Sequence, residues 1–142
     1  MPTSSWNKHD QFVEDLANGV HNLGSDTLTV ALCAAANAPV AGNSVLADLT
    51  EVSYTYCSSR DLTTTSVTQT SGTLKAIFAD LTLTASGGAI GPFRYVVIYN
   101  NTPTSPADPL IGWLDYGADV TVNDGETFLI DLNNVNGIFT AA

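Results

Sequence analysis

Positive charge is scarce in this sequence. Lysine and arginine number 4 against 14 aspartates and glutamates, for a net charge of -10. A surface of that sign repels phosphate backbones and anionic lipid, so nucleic acid and membrane are not expected partners. Charge of either sign amounts to only 13%, about half the usual share. Thr, Ser, Asn, Ala and Gly supply the surface instead, the palette of a β-rich, neutral-faced protein. No stretch approaches the roughly 20 apolar residues of a membrane span. The segment 1–12 lacks the basic and apolar regions of a signal peptide, which leads to the expectation of cytosolic synthesis.

Cysteine is limited to Cys33 and Cys57, too few for a disulfide scaffold. Free, partly buried thiols are expected, with a Cys33–Cys57 bridge as the alternative. Histidine is limited to His9 and His21, neither beside a recognisable nucleophile or carboxylate motif. These four side chains have no zinc-ligand spacing, so zinc is not expected. Oxygen ligands gather at Asp115, Asp119, Asn123, Asp124 and Glu126. They miss the calcium-loop pattern, however, and Asn123-Asp124-Gly125 is what a tight hairpin turn requires. Gly87-Gly88 and Gly91 lack the Lys-Ser/Thr and following helix of a phosphate loop. Paired carboxylates for glycoside hydrolysis are assembled in space, and nothing singles out a pair. No catalytic residue, metal or cofactor is assigned, and the expectation is a structural or binding protein, not an enzyme.

What the sequence does contain is periodicity. The 142 residues fit a single domain, 1–142, large enough to hold a core without staples. Over 10–22 the residues Phe12, Val13, Leu16, Ala17 and Val20 form an apolar stripe at helical spacing. Asp10 would cap this short amphipathic helix, Glu14 and Asp15 would favour its N-terminal dipole, and Gly24 would end it. His21 would then lie near its C-terminal end. Phe12, Leu16 and Val20 are expected to dock the helix.

From Ser25 onward the period is two. Strands are expected at 27–33, half-buried with Leu28, Val30 and Leu32 inward, at 61–70, and at 73–85 with Ile77, Ala79, Leu81 and Leu83 on one face. Ser71-Gly72 makes a hairpin of the latter two. Further strands are expected at 91–101, 110–117, 119–122, 126–133 and 137–141, with Phe128, Ile130 and Leu132 aligned. The segment 34–60 reads as a long loop with one helical turn at 46–50. The fold class is therefore all-β, an antiparallel β-sandwich or jelly-roll-like barrel over 25–142.

Strand 93–100 carries Phe93, Tyr95, Val97 and Tyr99 on one face and Val96 and Ile98 on the other, so both faces are expected to be covered, the second by the helix or by another copy. The aromatics serve core or protein contact, with a sugar-stacking surface as the alternative. Trp113, Tyr116, Pro109, Tyr54 and Tyr56 are the candidate interface residues, and a homodimer or homotrimer whose interface includes Trp113 or its neighbours is expected.

Four segments, FVEDLANGVHNLGSDTLTVAL (12–32), TASGGAIGPFRYVVIYNNT (84–102), PLIGWLDYG (109–117) and NDGETFLIDLNNVNGIFT (123–140), together resemble small virion proteins of tailed bacteriophages described as structural or capsid decoration (cement) proteins. The likeness covers most of the chain except 34–60. These segments are fold-forming and carry no catalytic signature; the last two are taken as a closing hairpin. The resemblance implies a β-sandwich that clusters as dimers or trimers on the outer capsid surface of the virion. There it would bridge neighbouring subunits of the major capsid protein, having been made in the host bacterial cytoplasm. The alternative is a receptor- or glycan-binding module of a phage tail fibre.

Overall fold

The computed structural model describes residues 5–132 and 139–141. Among these, the chain runs β1 (Ser5–Lys8), α1 (Gln11–Ala17), β2 (Leu28–Cys33), 3-10 turns at Ala35–Asn37 and Leu46–Asp48, β3 (Thr64–Thr70), β4 (Thr73–Phe78), β5 (Leu81–Thr84), β6 (Ile90–Asn100), β7 (Leu110–Val122), β8 (Thr127–Ile130) and β9 (Phe139–Ala141). The pairing is antiparallel throughout, in sheets ordered β1-β7-β6-β2, β3-β4-β9 and β5-β8. Among the described residues no pairing closes a barrel. The main core takes side chains from the three sheets and the helix, including Phe12, Val30, Leu32, Phe78, Leu83, Phe93, Val96, Ile98, Ile111 and Ile130.

The helix is shorter than its apolar stripe predicts. It stops at Ala17 because Gly19 takes a left-handed φ of 76°, and Gly19 and Val20 turn their N–H groups back to Leu16 and Asp15. Gly24 is not the terminator. Asp10 makes no side-chain cap; its own N–H donates to the Ala41 carbonyl at 2.9 Å. Phe12 is buried, Leu16 and Val20 are half-buried, and Val13 and Ala17 are exposed, so one ring carries most of the docking.

Two predicted strands change character. β2 is buried at all six positions rather than half-buried, because its Thr29, Ala31 and Cys33 face lies under a layer of loop. The predicted 73–85 strand breaks at Ala79-Asp80: β4 pairs with β3 and β5 with β8. Ile77 is consequently half-buried while Ala76 and Phe78 enter the core. The β3–β4 hairpin does form, with Ser71 and Gly72 both at positive φ (51° and 82°), as a two-residue primed turn requires.

Strand 93–100 does not keep one parity. The β6–β7 register shifts between Phe93 and Tyr95, so Phe93 joins Val96 and Ile98 in the main core, while Tyr95, Val97 and Tyr99 face the other way. The Phe93, Val96 and Ile98 face is covered within the chain, and the other face is covered there except at Tyr95, which stays half-buried. Segments 110–117 and 119–122 are one strand, β7, and the Asn123-Asp124-Gly125 turn closes no hairpin with it. The turn passes the chain to the partner of β5 and is stapled to a neighbouring turn. There the Gly87 N–H donates to Asp124 Oδ1 (2.9 Å) and the Gly125 N–H to the Ala85 carbonyl (2.9 Å). Of the predicted 137–141 strand, 139–141 form β9 against β4, and 137–138 lie outside the described residues.

At Gly112 a Cβ would run into the Trp6 ring and the Asn7 carbonyl, which fixes how close β1 lies to β7. Gly112→Ala is expected to cost about 1–3 kcal/mol as an overpacking change. Denaturant titration checks this, and a loss under about 0.5 kcal/mol would mean that β1 yields freely.

Candidate interaction surface

The face of β6 and β2 that carries Tyr95, Val97, Tyr99, Ala31 and Cys33 would be wet but for the segment 39–49. That segment is pinned at several points. His9 Nδ1 donates to the Val40 carbonyl (3.1 Å), the Leu110 N–H to Ser44 (2.9 Å) and the Leu46 N–H to Asp108 (2.9 Å). The Asp48 carboxylate accepts from the Ser44 and Val45 N–H groups (2.9 and 3.2 Å), bonds that hold it below the usual carboxylate range. Leu46 and Leu49 then pack over Ala31, Cys33, Val97, Tyr99 and Leu110.

The cover leaves two rings half-buried. Trp113 stands opposite Val97 and Asn7 in the ladder, and Tyr95 opposite Asp115 and Cys33, which makes the rings diagonal neighbours on one rigid sheet face. The His9 ring backs Trp113 at 4.6 Å between centroids. Arg94 forks onto Asp115 (2.9 and 3.2 Å) at the rim, and this pairing keeps the Asp115 carboxyl below its ordinary value. The result is an aromatic patch with a polar border, the arrangement found where proteins meet proteins.

The other candidate interface residues have partners inside the chain or elsewhere on it. Pro109 is buried, its carbonyl accepting from the Asn100 N–H at 2.9 Å. Tyr116 packs on Phe128 at 5.3 Å between ring centroids. The Tyr54 hydroxyl donates to Glu51 (2.6 Å) and accepts from the Leu32 N–H (2.9 Å), under the Arg60 guanidinium at 3.6 Å from the ring. Burial and the Glu51 bond push its pKa upward. Tyr56 is exposed and lies against Gly88, where a Cβ would strike its ring. Tyr95 was not among the candidates from the sequence. Its alternation with Val97 and Tyr99 is readable, but its place diagonal to Trp113 on one sheet face depends on a β6–β7 register that no local pattern announces.

The two histidines and Cys33 are buried. His21 lies outside the helix, and its Nδ1 accepts from Asn100 Nδ2 (3.1 Å), which also donates to Asp26 Oδ2 (2.7 Å). Burial lowers the pKa of both His9 and His21. Their Nε2 atoms and Asp15 Oδ2 are buried without a hydrogen-bond partner. Cys33 and Cys57 are free, and burial, with Glu51 nearby, pushes the Cys33 thiol up to about 11, far from the thiolate a nucleophile needs. Among the described residues no group of three His, Cys, Asp or Glu side chains could hold a metal ion, and no helix is long and apolar enough to cross a membrane. No family model, curated protein or solved structure matches the chain.

Proposed function

We propose that this chain is a structural protein of a tailed-phage virion, a capsid decoration (cement) protein. In this reading it docks on the outer surface of the major capsid shell, bridges neighbouring subunits, and catalyses no reaction. The four-stranded sheet and the smaller sheets act as the two layers of a sandwich whose rigid outer face presents the contact. The observation that carries this reading is the half-open Tyr95–Trp113 pair on a sheet braced from behind, rimmed by Arg94 and Asp115. Large aromatic anchors on a rigid frame lose little entropy on binding and concentrate its energy. The resemblance of 12–32, 84–102, 109–117 and 123–140 to virion decoration proteins supplies the partner, and the net charge of -10 is compatible with coating a particle without adhering to nucleic acid.

Trp113→Ala and Tyr95→Ala are expected to weaken binding to shells of the virus's major capsid protein by roughly 30-fold or more each. Cosedimentation reads the affinity, and an unchanged denaturant midpoint shows that the fold is intact. Variants that are stable and bind as well as wild type would remove this surface from the reading. Binding to host glycans in place of shells would favour the tail-fibre alternative.

A further inference from the structure

A β-edge with free N–H and C=O groups pairs with any strand that reaches it, so proteins cover or blunt their edges. This chain covers most of its own. Along β2, the Leu62 N–H donates to Leu28 (2.8 Å), Val30 to Arg60 (2.9 Å), Leu32 to the Tyr54 hydroxyl (2.9 Å) and Val52 to Leu32 (2.9 Å). The free side of β5 is met by Ser58, which donates its N–H to the Thr84 carbonyl (3.1 Å) and accepts from the Thr84 N–H through Oγ (2.9 Å). β1, β8 and β9 are edges of only 4, 4 and 3 residues. β7 outruns β1 beyond Asp115, but that stretch has Gly117 at a φ of 87° and carries Asp119.

Among the described residues β3 is the exception. Its seven residues, TTSVTQT, pair on one side with β4 and lie at the outside of their sheet. The strand contains no proline and no charged residue, the usual guards of an edge. Because Ser71-Gly72 is a two-residue loop, Thr70 and Thr73 close the hairpin as a hydrogen-bonded pair. Alternation then turns the N–H and C=O of Val67 and Gln69 away from β4.

Charge selects the occupant. Residues 62–79 contain no Asp or Glu and one cation, Lys75. The acid-free stretches 27–47 and 81–107 hold strands already flanked on both sides. Two copies of so acidic a chain therefore meet with least repulsion, and with open backbone groups on both sides, at β3. We propose that β3 pairs antiparallel with β3 of a second copy about a two-fold axis, joining their three-stranded sheets into one continuous sheet. This deepens the virion reading, in which copies cluster, and it is tested without any shell, so either can fail alone.

The test is residue-resolved hydrogen exchange with sedimentation velocity on the wild-type chain across micromolar concentrations. The Val67 and Gln69 amides are expected to become protected as concentration rises and dimer appears, while Thr68, which bonds to β4, is protected throughout. Thr68→Glu with Thr70→Glu places carboxylates face to face across the two-fold while Lys75, the ladder partner of Thr68, neutralises one within the monomer. Dimerisation should weaken roughly tenfold at low salt, with a monomer spectrum like wild type. A wild type that stays monomeric at about 100 μM, a dimer whose Val67 and Gln69 amides exchange freely, or a folded variant that dimerises like wild type would each overturn the proposal.

Discussion

Phe12→Ala is expected to remove about 3–5 kcal/mol of stability, the range for truncating a buried aromatic ring. The side chain is 1% exposed in the main core and stacks near His21 at 5.3 Å between centroids. A seven-residue helix has almost no stability of its own in water, so its position depends on what it buries. Leu16→Ala, at a half-buried position, should cost less than half as much. Urea titration of the two variants gives the comparison directly. Equal losses would mean that the helix docks through a broad stripe, as its sequence suggests, rather than through one ring.

Acidification is expected to weaken the fold in a window set by the two buried histidines. Burial lowers the pKa of both below the ordinary 6.5, so they remain neutral in the folded state at pH values where the unfolded chain already binds protons. With more protons on the unfolded chain, stability rises with pH. It is complete above about 6.5 and falls as the pH drops below that value, by up to about 1.4 kcal/mol per pH unit for each imidazole, until the folded values are reached. The loss precedes the range in which carboxylates such as Asp115 titrate.

Asn100 is the structural link in this effect at His21. Fully buried, it donates to His21 and Asp26 and accepts from the Thr102 N–H at 3.1 Å. Asn100→Ala should cost about 2–4 kcal/mol, from a cavity and an imidazole left without its donor. Denaturant midpoints between pH 7 and pH 5 test both points. A flat profile for the wild type would show that the imidazoles take up protons inside the fold.

The β-rich class, the Ser71-Gly72 hairpin and the Phe128, Ile130 and Leu132 alignment were legible because each rests on local chemistry: alternation, or a turn that needs positive φ. Pairing was less so. Asn123-Asp124-Gly125 forms a tight turn, yet turn chemistry does not say which sheet the next strand will join, and β8 joins β5. The helix end depended on which glycine takes the left-handed conformation, and both Gly19 and Gly24 suit the role by sequence. The parity of β6 was lost at a bulge. The long segment 34–60 gave little pattern because its apolar residues are spaced by the surface they cover, not by a regular element. That segment nonetheless determines which part of the sheet face stays open, so Trp113 could be nominated from composition while its place beside Tyr95 on that face could not.

The proposed attachment to capsid protein is tested by saturation binding of the purified chain to expanded shells emptied of DNA and treated with nuclease. Saturable binding at a fixed ratio to the major capsid protein is expected, the same for empty and filled shells, because a chain of charge -10 gains nothing from packaged DNA. Shells that bind only when filled, or that do not bind at all, would contradict it.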